Sequence, residues 1–545
     1  MDPRKYNIYF HTHTISGIII AALLYVIFFA GSFSFFKDSI SAWQKGEMNH
    51  SAWQADYSYV LDSLSKKHDL RGRDFDFYVL NGGHGAYINM SVSKDSTISK
   101  PKPAGDATKR GRRGGGDEDS AYFLYFFANR EASSYAQGYD MGEFFYRLHF
   151  LAPLNQIPIR IGTPFGYLLA GVVSFLFLFA LITGLFLHWD KIKTNFFLFR
   201  PWSKWKTVWT DMHTVLGVIG FPFQLIFAIT GVILIVNFAL TTPFAKVLYD
   251  GKQEQLFEDL QYNRTIDVPY SYSALNSKFD LNDFIAEWQQ KWGSSKISRI
   301  HIRNFNDQNM QVVLESKPHP TQSFAGSGFV RQEIATGKVL ESKSPINEGN
   351  YIDGVRSLIY HLHFGDFGGT PLRLVFFVLG LMGCVVIISG IMIWLVARNK
   401  NNIPLYKRRF NFWASNVFLS ACLAMLPVTA FTFIMVKILP EVNQPIIYRT
   451  YFYSWLVLGL ALVALRNPSK VNLYSLLLSG LLCLAVPIVN GAQTGLWLWN
   501  TWRIEGNGIF LIDMLFVILG ICFLFAFFEV RRQGKPFEVL LGKGK

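Results

Sequence analysis

Apolar residues along this chain gather into eight long runs, at residues 15–36, 164–188, 213–238, 371–396, 411–438, 448–465, 472–490 and 508–529. A helix needs about 20 mostly apolar residues to cross the hydrocarbon of a bilayer, so each run predicts a spanning helix. Two insertions of nearly equal size, 37–160 and 239–365, interrupt the series with a different pattern. In the second, Leu281 to Trp292 has a helical period, while Ser298–Arg303, Met310–Glu315 and Gly328–Glu333 alternate like strands, with a turn at Ala335–Lys338. The first has a similar order. Tyr57 to His68 reads as a helix and Asp74–Leu80, Ala86–Ser93 and Tyr122–Asn129 as strands. Between the last two, Lys100 to Asp119 is rich in Pro, Gly, Lys and Arg and reads as a disordered loop.

The pattern also repeats. His13, Thr14 and Gly17 open the first run, and His213, Thr214 and Gly217 open the third, 200 residues later. Tyr146–Phe150 (YRLHF) matches Tyr360–Phe364 (YHLHF) at an offset of 214, and each is followed by a Gly-Thr-Pro triplet (162–164, 369–371) and another apolar run. The first 400 residues therefore read as one unit used twice. Each unit has two membrane helices, and each helix has a histidine near its start.

Charge orients this arrangement. The formal net charge is +14, but the Lys and Arg cluster in loops 189–212 and 397–410 and in the C-terminal tail, whereas loop 439–447 has none. That is the positive-inside bias. It puts those loops and both termini in the cytoplasm and both insertions outside, and it calls for no nucleic-acid partner. Half the residues are hydrophobic, with 50 Phe and 14 Trp, as suits a multi-span membrane protein. The first run is too long for a signal-peptide core and reads as a retained helix. The four cysteines lie inside apolar runs without C-x-x-C spacing, so a disulfide framework, a thiolate zinc site and covalently attached c-type haem are not expected.

The fold expected is therefore an α-helical polytopic membrane protein of about eight spans with two small α+β extracytoplasmic domains. Its divisions are helix one (1–36), a first outer domain (37–160), helices two and three with their loop (161–238), a second outer domain (239–365), helix four (366–398) and a four-helix extension (399–545). Asp513, about one turn inside the last run, is read as structural or interfacial.

Seven of the twelve histidines fall at or near helix ends: His11, His13, His149, His188, His213, His361 and His363. Repetition singles out His13 with His213 and His149 with His363, at opposite membrane faces. Facing neutral imidazoles are the axial set of a b-type haem, and nearby glycines (Gly17, Gly31, Gly166, Gly171, Gly184, Gly217, Gly220, Gly231, Gly380, Gly383, Gly390) allow a flat macrocycle to approach the backbone. Binding of another metal, proton relay and simple packing remain open readings of the same residues. His188 lacks a symmetric counterpart but is an alternate ligand on the inner side. His11 and His361 sit two residues from a favoured position, on another helix face. His84 reads as a turn residue, and His50, His68, His301 and His319 as ordinary exposed positions.

The two H-x-x-x-G helix starts (His13/Gly17, His213/Gly217), the Leu-His-Phe-Gly-Asp-Phe-Gly-Gly stretch (362–369) and the Thr-Gly or Ser-Gly pairs near helix ends resemble the PepSY-associated transmembrane family. The resemblance covers about residues 6–400, and the outer modules look like that family's PepSY-type fold. Members include iron-regulated inner-membrane proteins and ferric-siderophore reductases. It implies two haem b groups, with His13, His149, His213 and His363 as the ligands of the haem irons.

The function expected is a transmembrane di-haem b oxidoreductase of the bacterial inner membrane. Electrons enter from a cytoplasmic donor or a membrane quinol and reduce a periplasmic acceptor, a ferric siderophore, docked on the outer domains. No nucleotide fingerprint is present, so the donor is separate. The alternatives are a membrane-anchored PepSY regulator that binds a peptide or protein, and a transporter, each with structural histidines.

Overall fold

The computed structural model describes residues 2–46, 55–80, 83, 85–98, 120–127, 130–159, 164–252, 255–256, 259, 268–293, 295–318, 323–346, 348–400, 402–503 and 508–533. The expected loop 100–119 and His50, His84 and His319 lie outside the described residues. The chain divides into two compact units. One comprises residues 1–48, 139–240 and 362–545, the other 49–138 and 241–361.

Eight helices of the described residues are long and apolar enough to cross a membrane. They are α1 (Pro3–Ser34), α5 (Phe165–His188), α7 (Trp205–Leu248), α10 (Gly369–Arg398), α11 (Leu405–Ile438), α12 (Gln444–Ala464), α13 (Pro468–Thr494) and α14 (Gly508–Gln533). A short α6 (Ile192–Phe197) lies between α5 and α7. Several of the long helices extend beyond the apolar runs because polar caps, rather than hydropathy, set their ends. Asp2, Asn443 and Asn467 accept amide bonds from the first turns of α1, α12 and α13, each with a proline at the first or second position.

Two interior prolines, Pro427 in α11 and Pro487 in α13, each remove a helical N–H. The carbonyl freed by Pro427 is that of Leu423, and Ser475 of α13 donates to it at 2.6 Å. Trp455 of α12 donates to Ala421 O nearby at 2.7 Å. The carbonyl freed by Pro427 is thus satisfied from a neighbouring helix, as hydrocarbon requires.

Two short helices belong to this unit although the apolar pattern assigns them to the first insertion. These are α2 (Lys37–Lys45) and α4 (Met141–His149). They pack on each other so closely that a Cβ at Gly142 would run into the Lys37 carbonyl. Glu143 of α4 is buried between Lys37 (2.5 Å) and Arg147 (2.6 Å). Both helices are amphipathic and short, so hydropathy alone groups them with the polar insertion. On the other side of α2, Trp43 donates to Asp513 of α14 at 2.7 Å, and Lys437 of α11 donates to the Trp43 carbonyl at 2.5 Å. Asp513 is fully buried and also accepts from Asn490 at 2.9 Å. It is therefore an internal tie between helices, not an interfacial residue.

The second unit is one antiparallel sheet of order β4-β3-β2-β1-β5-β6-β7-β8. Each insertion supplies a helix and a four-strand meander. The first gives α3 (Tyr57–Ser65), β1 (Phe75–Val79), β2 (Gly85–Met90), β3 (Ala121–Phe126) and β4 (Glu131–Ser133). The second gives α8 (Leu281–Trp292), β5 (Lys296–Arg303), β6 (Gln311–Lys317), β7 (Gly328–Glu333) and β8 (Val339–Lys343). The meanders join through β1 and β5, with Phe77 opposite Ile300. The apolar stripe of α8 (Leu281, Phe284, Ile285, Trp288, Trp292) and that of α3 (Tyr57, Val60, Leu61) share one core with the inward strand positions Phe75, Phe77, Ile88, Ile300 and Ile302. The helix starts cap each other: Asn282 Oδ1 accepts from Tyr57 N, while Ser58 Oγ donates to the α8 cap Asp280. The short edge strands β4 and β8 are too brief and too polar to be read from alternation.

Candidate functional site

The helices bring the repeated histidines together in two facing pairs. The His13 and His213 ring centroids lie 6.1 Å apart with planes at 71°. Those of His149 and His363 lie 5.9 Å apart at 43°. His13 and the Ile27 carbonyl, which His149 contacts, are separated by about 21 Å of α1 at 1.5 Å per residue, within the thickness of a bilayer core.

Each ring is held by its Nδ1. His13 Nδ1 bonds Ala180 O (2.8 Å), His213 bonds Val386 O (2.9 Å) and His149 bonds Ile27 O (2.8 Å). A carbonyl can only accept, so Nδ1 carries the proton and Nε2 keeps its lone pair. His363 Nδ1 bonds Thr230 Oγ1 at 2.8 Å, and this hydroxyl already donates to Ile226 O at 2.6 Å, so it too accepts. All four rings are fixed in the tautomer that leaves Nε2 free to ligate, with the outer nitrogen anchored as in metal-binding histidines.

A glycine makes room beside each ring. A Cβ at Gly31 would lie 2.6 Å from His149 Nδ1, at Gly184 3.0 Å from His13, at Gly390 3.1 Å from His213 and at Gly231 3.9 Å from His363. The duplication appears in these supports as well. Gly31 and Gly231 are 200 residues apart, like His13 and His213, and Gly184 and Gly390 follow the matched Thr183 and Ser389. Gly17 and Gly217 face open space, whereas Gly166, Gly171, Gly220, Gly380 and Gly383 meet neighbouring side chains or backbone and serve helix packing rather than access for a macrocycle.

These residues suit haem. Two imidazoles bound to one iron from opposite sides by bonds of about 2 Å stand with ring centroids about 6 Å apart. Among the described residues no cluster of three or more His, Cys, Asp or Glu gathers to hold a bare metal ion. A pair of nitrogens suits a group that brings four equatorial ligands of its own.

The other candidates fall elsewhere. His11 is exposed and meets the Phe10 ring edge-on. His361 lies in the sheet unit against Phe324. His188 ends α5, half-buried and within electrostatic range of His213. His149 is not at the start of the second spanning helix, as the repeat suggests. It ends α4, and the chain then turns through Leu151 (φ 57°) and a 3₁₀ turn before α5. His363 likewise ends α9 (Tyr351–Phe364), and the matched residue Gly365 has φ 60°. A left-handed non-glycine is costly, so the repeated turn marks where the chain must reverse after the ligand position.

Sequence reasoning missed Thr230, whose counterpart is Ala30, because one hydroxyl gives no periodic signal. It also placed His301 on the surface. In the sheet His301 is buried between Asp76 (2.8 Å) and Glu315 (3.5 Å), with Arg303 also on Asp76 at 2.8 Å. Burial pushes the Asp76 carboxyl up, but these partners outweigh it and hold it down to about 2. His301 is raised, since Asp76 and Glu315 outweigh its desolvation.

Comparison with known proteins gives two findings. An uncharacterised protein of Pseudomonas aeruginosa is 22% identical over 292 residues, which is 51% of this chain and 71% of that protein. The family model described as the PepSY-associated TM region matches residues 10–397, a span that contains both histidine pairs and both insertions. The chain belongs to the PepSY-associated transmembrane family.

Proposed function

We propose that this protein is a transmembrane di-haem b oxidoreductase of a bacterial inner membrane, passing electrons outward to a ferric siderophore. The observation that carries the reading is the two facing histidine pairs, each with Nδ1 anchored and Nε2 free, at opposite ends of one helical core. His13 and His213 hold the inner haem and His149 and His363 the outer one, and the bound haems supply one-electron carriage. The protein fixes the tautomers, excludes water with apolar helices and sets how strongly each imidazole donates.

In this reading the basic loops and both termini face the cytoplasm, and a quinol or cytoplasmic protein delivers the electrons. Reduction of the substrate iron to Fe(II) weakens its hold on hard oxygen ligands and releases it for uptake.

The test is the reduced-minus-oxidised visible spectrum of the purified protein, with haem counted per chain. Two low-spin b haems, reoxidised by a ferric siderophore after dithionite, are expected. Haem-free protein from haem-replete cells rejects the reading and favours a regulator that binds peptides through its outer sheet.

A further inference from the structure

Gln224 lies in the apolar span of α7, 3% exposed, and its Nε2 has no hydrogen-bond partner among the described residues. An amide buried in this way bears its desolvation cost with nothing to offset it. The other repeat avoids that cost. At the offset of 200, Leu24 stands where Gln224 does and Ile20 where Gly220 does, and both are buried. In the second repeat the two positions differ together, and the packing explains why. A Cβ at Gly220 would lie 2.7 Å from Gln224 Nε2 and 2.8 Å from Met382 Cε. The amide is folded back one turn onto the bare glycine, with Met382 of α10 against the same place. Gly220 thus gives the amide a fitted seat that Ile20 would fill.

Helix repair does not account for this amide. Pro222 removes an N–H from α7 and frees the Val218 carbonyl. Both residues lie two positions from Gly220 and so on the opposite side of the helix, and Gln224 Nε2 bonds neither that carbonyl nor any other acceptor among the described residues.

The seat has a particular depth. His213 lies seven residues before Gly220, and Phe227 lies seven residues after it. Seven residues make two turns less about 20°, so the three share one face of α7 at steps of about 10 Å. His213 belongs to the inner pair. Phe227 touches His363 of the outer pair, with 6.1 Å between ring centroids. The amide is therefore midway in depth between the two pairs, in the partition that an electron crosses.

We infer that the Gln224 amide sets the reduction potential of both haems. The inference rests on the haem reading. An N–H without an acceptor leaves the positive end of the amide dipole unneutralised, and apolar surroundings screen it weakly. It stabilises an electron arriving on either side, so both haems are easier for the donor to reduce. Each haem gains one electron, and no bond is made or broken at Gln224.

The experiment is a spectroelectrochemical redox titration of the full-length protein in detergent, with haem counted per chain beforehand. Wild type is compared with Gln224→Met, which keeps the side-chain length and removes the donor. Both midpoints are expected to fall, each by about threefold in the reduction equilibrium, or about 28 mV at 59 mV per tenfold for one electron. Two haems per chain and an unchanged thermal midpoint report that the variant is folded, and Gln224→Leu, the residue of the other repeat, replaces it if it is not. Loosened packing around one pair would move one midpoint only. Midpoints that stay in place, that rise, or that move at a single haem overturn the inference while leaving the haem reading intact. Haem-free wild type rejects the haem reading and this inference with it.

Discussion

Gly31 leaves His149 the space that one methyl group would take. A Cβ at this position would lie 2.6 Å from a ring nitrogen already tied to Ile27 O, so the ring cannot yield without losing its anchor. Gly31→Ala is expected to halve the haem per chain, leaving the inner spectrum intact. Gly459→Ala, in open space on α12, should change nothing. Thr230 acts more gently. Thr230→Val removes the acceptor for His363 Nδ1–H and so weakens that imidazole as a donor. A redox titration should show the outer midpoint moving upward while the inner one stays in place; movement of both would refute the assignment of Thr230 to the outer pair. In the sheet, Asp76 and His301 set a pH window. The Asp76 share of stability is present above the unfolded carboxylate value near 4 and is lost as pH falls through about 2. The His301 share is full below about 6.5 and fades as pH rises through its raised value. Amide protection factors of β1 and β5 should be highest between those limits, and Asp76→Asn should cost about 2 kcal/mol at pH 5, the shift converted at 1.36 kcal/mol per unit.

At the level of elements, α11 and α13 combine a helix defect with its repair. Pro427 frees the Leu423 carbonyl and Ser475 occupies it. Ser475→Ala is expected to destabilise the folded protein by about 1 kcal/mol, since a buried carbonyl loses its donor. Pro427→Ala restores a backbone N–H to that carbonyl, so the double variant should recover the loss; a strictly additive cycle in thermal unfolding would exclude the coupling. The same reasoning explains why α2 and α4 escaped the hydropathy reading. Each spans nine residues, too short to register as a span. They are tied to each other by the Lys37–Glu143 ion pair and to the spanning helices by the Trp43–Asp513 bond, contacts made between distant parts of the chain.

At the level of the whole molecule, the two repeats are interlocked rather than set end to end. His13 of the first faces His213 of the second, α1 packs on α10, and β1 pairs with β5. If the chain is opened between Phe197 and Leu198, just after α6, the two fragments expressed together should copurify through a tag on either one. Fragments that purify separately would mean that each repeat folds alone. The interlocking also explains how one half can diverge: Thr230 stands where the other repeat has Ala30, because the pairs are made between repeats and only one member of each need carry a given support.

Much of this protein is local in origin. Hydropathy runs of spanning length, the offsets of 200 and 214, and the choice of His13, His149, His213 and His363 are all properties of neighbouring residues, and the sequence alone determined them. The stripe of α8 and the strand β7 were legible to the residue for the same reason. The tertiary structure decided what depends on residues far apart in the chain. Two meanders share one sheet because β1 and β5 leave each other's backbone groups unsatisfied otherwise. His301 is buried because Asp76 lies opposite it across that junction. The tautomer of each paired histidine is set by a carbonyl or hydroxyl on another helix. Periodicity carries the direction in which a side chain points, but not the partner it meets.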